Sequence, residues 1–322
     1  MRTINSLFRS ALFAVFTASS VIYAEENNNP DWMWNNKEKL KDLTLNRIVL
    51  LGSHDSSSRD IHEGSLPVTG YLTHHGKHIH RLAKEKDVGS ARCQSATILE
   101  QLTYGVRYLD MRIAHQDGEY WGTHMWLSTP LFGDGGVFTQ IKGFLAAHPG
   151  EIIIVNLNEL YSDKKPMNKE QKKSFYKKMG KEFGALLVPR GDFAMTPLSS
   201  LWKSGGRIVA IGDVTADPEN DFIWDRRDVD SQWMNEQDPE ACCSKLTAVL
   251  LEWKNNPSSN KLRVLQGMTT TENKLEDGTK TNELLRKLFK SDWKGYPVNI
   301  IQVDNAVNSG LMPVVFERNN IN

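Results

Sequence analysis

Two histidines close apolar runs. Leu50-Leu51 leads into Gly52-Ser53-His54-Asp55-Ser56, and Tyr120-Trp121-Gly122-Thr123 leads into His124. An imidazole titrates near pH 6.5, so one ring can begin neutral and another charged at the same pH. Between them, Val106 to Ile113 carries Asp110 and Arg112, which share a face if the segment is a strand, and buried charges need a partner or a task. Val298 to Val303 then delivers Asp304. Two proton carriers, one fixed cation and orienting carboxylates make a set suited to general acid–base catalysis, provided that all reach one place.

Parallel strands alternating with helices would bring them there. Short apolar runs recur between helix-like stretches, the pattern of a parallel sheet wrapped by helices. Strands are expected at 47–51, 106–113, 119–124, 152–158, 207–212, 262–266 and 298–303, close to the eight of a barrel. The histidines and Asp304 then stand at the C-terminal ends of strands, the edge that carries active sites in α/β barrels. Thr97 and Glu100 form a potential capping box for a short helix closed by Gly105. Val137, Phe138, Ile141, Phe144 and Leu145 share a helical face ended by Pro149, and Asn168 to Phe183 reads as a solvated helix. With no repeat and no linker, a single-domain α/β fold of the barrel or doubly wound kind is expected over 25–322. The long stretch from Ser56 to Gln94 is expected to form a lid or rim.

Four ordered blocks resemble the X-domain of phosphatidylinositol-specific phospholipase C: Leu51 to Ser56, Gly105 to Arg112, Trp121 to His124, and His148-Pro149-Gly150-Glu151-Ile152-Ile153-Ile154-Val155, with a weaker match at Asp304. The resemblance extends in ordered blocks over about half of the chain, and four blocks in order are far more specific than one. The resemblance implies a distorted TIM-type (β/α) barrel in a single domain and a two-step cleavage of an inositol lipid through a cyclic inositol phosphate. It implies His54 as the base for the inositol 2-hydroxyl, oriented by Asp304, and His124 as the acid for the departing diacylglycerol oxygen, supported by Asp55. Arg112 would hold the phosphoryl oxygens. Asp110, Asn158 and Trp126 are expected on the substrate side. Animal members hold calcium with an asparagine after the first histidine and acids on following strands. Here those places carry Asp55, Arg112 and Asn158, so the chain is similar to the metal-independent bacterial branch, and no metal or cofactor is expected. The basic residues with which bacterial members grip inositol are not found at Asn158, Glu159 or Ile211-Gly212-Asp213.

The 322 residues contain 39 Lys plus Arg and 39 Asp plus Glu, so there is no basic field for nucleic acid. Arg2 and Arg9, the apolar stretch from Ala11 and the small Ala24 are laid out as a signal peptide over 1–24, and the apolar core is shorter than the ~20 residues of a membrane anchor. A secreted or periplasmic enzyme is expected, touching membrane phospholipid transiently, with no protein partner. Three cysteines are an odd set for an oxidising compartment. Cys93 could bridge to Cys242 or Cys243, or all three could be core thiols. His74, His75, His78 and His80 cluster in the long connection, more in the manner of a solvated loop than of a metal site. Trp121, Trp126, Trp32 and Trp34 could lie at a lipid interface or pack inside. Competing readings are a phosphodiesterase for another phospholipid headgroup, which in related barrels needs acidic metal ligands, and a non-catalytic secreted lipid- or glycan-binding barrel.

Overall fold

Runs such as Ile153-Ile154-Val155 and Ile208-Val209-Ala210-Ile211 are apolar on both faces, the composition of parallel strands covered on both sides. In the computed structural model, which describes residues 28–75, 88–163, 165–257 and 259–321, they build a barrel wall. The strands are β1 (Leu50–Ser53), β2 (Tyr108–Gln116), β3 (Glu119–His124), β4 (Trp126–Pro130), β5 (Ile153–Tyr161), β6 (Ile208–Gly212), β7 (Ile223–Asp225), β8 (Val229–Ser231), β9 (Leu262–Gln266) and β10 (Ile300–Val303). The wall runs β7-β6-β5-β2-β1-β10-β9-β8, every neighbouring pair parallel. Its two edges are consecutive in the chain: β7 pairs with β6, a turn at Arg226–Asp228 intervenes, and β8 pairs with β9. One interrupted stave thus nearly closes the barrel.

The helices are α1 (Trp32–Asn35), α2 (Lys37–Leu40), α3 (Thr69–His75), α4 (Ile98–Tyr104), α5 (Val137–Ala147), α6 (Lys169–Phe183), α7 (Leu198–Ser204), α8 (Pro239–Asn255), α9 (Lys274–Lys290) and α10 (Met312–Arg318). The Thr97/Glu100 capping box starts α4 and Gly105, at φ 127°, ends it. The expected apolar face of α5 is buried, and α6 buries Phe175, Tyr176, Met179 and Phe183 beneath its lysines. Near the N-terminal ends of β2 and β5 the motif residues Arg107 and Glu151 form a fully buried ion pair of 2.7 Å, and Glu151 also accepts the Trp34 backbone N–H. That part of the resemblance is structural.

Several expectations are corrected. β1 starts at Leu50, because 44–48 is a turn in which Arg47 and Ile48 donate to the Thr44 carbonyl. Segment 119–124 is not a parallel stave but one arm of an antiparallel hairpin with β4, attached to β2. β4, β7 and β8 escaped the sequence reading. The last two have three residues each, too few for alternation to show. The three cysteines are buried free thiols. The 56–94 connection contains a helical turn at Ser58–Asp60 and α3. Segment 1–24, His78 and His80 lie outside the described residues, as do the side chains of His74 and His75. No helix among the described residues is long and apolar enough to cross a membrane.

Candidate active site

Just beyond β1 the chain is pinned by His54 N–H donating to the Val303 carbonyl (3.0 Å) and by the Gln94 amide donating to the His54 carbonyl (2.8 Å). Asp55 adopts φ 41°, a left-handed conformation that a non-glycine residue holds at a cost of about 1–2 kcal/mol. The kink places its carboxylate among three partners. Oδ2 lies 3.1 Å from His54 Nε2 and 3.2 Å from His124 Nδ1, and Oδ1 lies 2.7 Å from Arg112 Nε. From the neighbouring stave, Asp304 Oδ1 meets His54 Nδ1 at 2.7 Å. The backbone is strained again at Met125, φ 64°, the single residue linking β3 to β4, and this presents His124 toward His54 with ring centroids 6.0 Å apart. Both rings and both carboxylates are buried.

The hydrogen bonds select tautomers. A carbonyl only accepts, so the Ala91 carbonyl 3.0 Å from His124 Nδ1 assigns a hydrogen to Nδ1 and leaves Nε2 for chemistry. Asp304 does the same for Nδ1 of His54. Burial opposes the charge on Asp55, but Arg112 and then the two histidines outweigh it and hold the carboxyl at about 2. Burial also disfavours a charged His54, yet Asp55 and Asp304 together raise its pKa above the ordinary value. Burial pushes His124 down to about 4, with Arg112 and His54 adding to the fall. A single proton shared by the pair therefore rests on His54.

Five predicted residues, His54, Asp55, Arg112, His124 and Asp304, are thus brought together. The structure places the three others, expected on the substrate side, outside this set of contacts. Asp110 is buried below the histidines, where the amides of Gln302 (3.0 Å) and Asn156 (3.3 Å) donate to it, and burial with the nearby Asp55 charge raises its pKa. Trp126 is 2% exposed and packs with Ile61, Ala91 and Met125. Asn158 falls in a bulge: Met111 is opposite Leu157, but Arg112 is opposite Glu159. The extra residue hands the position beside Arg112 to Glu159, whose Oε2 is 3.9 Å from Nη1. The Asn158 carbonyl and side chain instead accept from Arg226, and Asn158 lines a separate cavity with Lys172, Tyr176 and Asp213.

Sequence reasoning missed three neighbours. The Cys93 thiol, pushed well up by burial and the nearby carboxylates, lies 3.5 Å from His124 Nδ1 and 3.7 Å from Asp55 Oδ2. Trp233, after β8, stacks on His54 with centroids 6.0 Å apart. Lys274 opens α9 beside Asp304. No motif marks any of the three. The donor atoms of His54, Asp55 and Cys93 lie within 4.8 Å of one another, but Arg112 already stands on Asp55, so a metal there would face a fixed positive charge. A cavity of about 720 Å³ lies beside the β3–β4 hairpin, lined by Arg59, Arg92, Trp121 and Leu127 and by neither histidine, so the chemistry rather than cavity size locates the site.

No family model matches the chain. Among curated proteins, human PI-PLC X domain-containing protein 2 is 28% identical over 213 residues, 64% of this chain and 67% of that protein. The variant-surface-glycoprotein phospholipase C of Trypanosoma cruzi is 24% identical over 259 residues, 74% of this chain and 66% of that protein. The matched region thus spans about two thirds of the length of these relatives. A solved structure of the phosphatidylinositol-specific phospholipase C from Staphylococcus aureus superposes with a TM-score of 0.63 at 17% identity, covering 92% of this chain and 99% of that one. The enzyme of the same description from Listeria monocytogenes gives 0.57 at 16%, covering 86% and 95%. The barrel fold expected from the sequence is therefore the fold of these proteins.

Proposed function

The chain belongs to the PI-PLC X-domain family, and on that premise we propose that it is a phospholipase C-type phosphodiesterase cleaving phosphatidylinositol, or a glycosylated inositol lipid, to diacylglycerol and inositol 1,2-cyclic phosphate. The observation that carries this reading is the joining of two tautomer-assigned histidines, whose ring centroids are 6.0 Å apart, with a carboxylate for each and one guanidinium. The inositol 2-oxygen attacks phosphorus as its proton passes to His54 Nε2. The bond from phosphorus to the glycerol oxygen breaks as that oxygen takes a proton from His124 Nε2. For Nε2 of His54 to accept, Asp55 must turn toward His124 and Arg112, both of which it already contacts. Arg112 lies where it can neutralise charge developing on the phosphoryl oxygens.

The resting proton on His54 is the reverse of what this step requires. The reactive form carries the proton on His124 and none on His54, and a bound phosphodiester anion favours that arrangement by raising the proton affinity of His124. kcat/KM should then follow a bell in pH whose limbs belong to the pair, the alkaline limb reporting loss of the last proton. We further infer, from Arg2, Arg9 and the apolar run before Ala24, that the chain is exported and meets its lipid at a membrane surface only transiently.

The test is hydrolysis of phosphatidylinositol vesicles in excess chelator, followed by phosphorus NMR, with His54→Ala as control. Cyclic phosphate formed by the unmutated protein alone supports the proposal. Cleavage that stops in chelator would overturn the metal-free mechanism. No product would overturn the inositol-lipid reading and turn attention to other headgroups, then to a binding role.

A further inference from the structure

Each histidine has its own carboxylate, and the Asp55–His124 arm also has its own fixed cation, Arg112, at 2.7 Å. The Asp304–His54 arm has a counterpart. Asp304 Oδ1 is spent on His54, while Oδ2 is buried without a hydrogen bond, and the Lys274 ammonium lies 3.9 Å from it. Lys274 is 4% exposed, unusual for a lysine without a partner. It is also the first residue of a 17-residue helix, where the helix dipole disfavours a cation. Its Nζ donates to the Thr269 carbonyl and lies 5.6 Å from the centre of the Trp233 indole, the same indole that stacks on His54. Trp233 thus covers both the lysine and the histidine.

We propose that Lys274 is a positioning residue: it balances the charge of Asp304, holds Oδ2 so that Oδ1 faces His54 Nδ1, and so keeps Nε2 as the proton-accepting atom. The groups facing His54 are Asp55 on the β1 turn, Asp304 after β10, Arg112 and Asp110 on β2, His124 on β3, Cys93 on the segment before α4, and Lys274 on α9. Three carboxylates are set against two fixed cations. Removing Lys274 leaves Asp304 uncompensated and makes His54 hold its proton more tightly. This part for Lys274 in catalysis rests on the function proposed above.

The experiment uses the full chain with Lys274→Met and Lys274→Arg. The ring titration of His54 is followed by proton–nitrogen NMR, its signal identified by loss in His54→Gln, and kcat/KM on phosphatidylinositol vesicles is measured against pH. K274M is expected to raise the His54 midpoint and the alkaline limb by about one pH unit, and to lower the plateau about tenfold because the reactive proton arrangement becomes rarer. K274R should restore both. If K274M does not fold, K274Q, which keeps a donor for the Thr269 carbonyl, takes its place. An unmoved His54 midpoint in the charge-removing variant, or an equal shift in K274R, overturns the proposal. The NMR readout needs no turnover. A shift in a protein that cleaves no inositol lipid would sink the proposed function and Lys274's catalytic part with it, whereas cleavage without a shift would sink the Lys274 proposal alone.

Discussion

Replacing Asp304 by Asn exchanges a carboxylate for an amide of the same size, 2.7 Å from His54 Nδ1. An opposite charge at contact raises the pKa of an imidazole by about one to three units, so its loss should move the alkaline limb of kcat/KM at least one unit toward acid. The amide can also present its NH₂ to Nδ1. The ring then carries its hydrogen on Nε2 and cannot accept a proton there, a tautomer error that costs roughly 10⁴ in a comparable dyad. Because the lower pKa makes the reactive proton arrangement commoner, the net loss should be about 10³. Lys274 is left facing an amide. At 3.9 Å and an effective dielectric of 20 the lost attraction is about 4 kcal/mol, so a fall of a few kcal/mol in urea stability is expected with the fold retained. Initial rates on phosphatidylinositol vesicles over roughly pH 5 to 9 read the first two effects. An alkaline limb that stays in place, or a kcat/KM within tenfold of the unmutated protein, would refute the orienting role of Asp304.

A methyl group on Gly122 would fall 2.3 Å from Ser57 Oγ and 2.5 Å from its Cβ, so Gly122→Ala must displace the turn that carries Asp55. A loss of about 1–3 kcal/mol in urea unfolding and at least a tenfold lower kcat should appear together. His124, with its folded pKa near 4 and an ordinary value of 6.5, binds its proton more readily when unfolded. Its stabilising contribution is complete above pH 6.5 and is lost as pH falls toward 4, by about 3 kcal/mol, and His124→Gln should flatten that part of the urea-midpoint profile. Because Trp126 is a core residue, Trp126→Ala should cost about 3–5 kcal/mol in unfolding while binding to lipid vesicles is unchanged. Weaker vesicle binding at unaltered stability would return it to the lipid interface.

Much of the site could be read before the fold was known. His54, Asp55 and Asp304 each follow a parallel strand, and in a parallel barrel every such strand ends at the same rim, so placing them at strand ends placed them near one another; His124 ends the antiparallel arm β3 and reaches the site because the hairpin folds back along β2. Arg112 was legible because a buried charge on a strand needs a partner. The differences came where a position carried over from the resemblance, or a residue type, stood in for the local structure. Alternation puts Asn156 and Asn158 on one face, but the β5 bulge inserts a residue and gives the position to Glu159. Trp126 has the composition of an interfacial residue, and only the packing of Ile61, Ala91 and Met125 shows it to be covered.

By itself the sequence determined the parallel barrel architecture, the capped helix α4, the solvated helix α6, and the types of the groups that could exchange protons, because these depend on periodicity and side-chain chemistry within a few residues. Tertiary structure alone decided which charges meet. His54 and Asp304 are 250 residues apart in the chain, and Lys274 reaches Asp304 from a separate helix. Whether the shared proton rests on His54 or His124 follows from burial and from these distant charges together, and neither is encoded in any local stretch of chain.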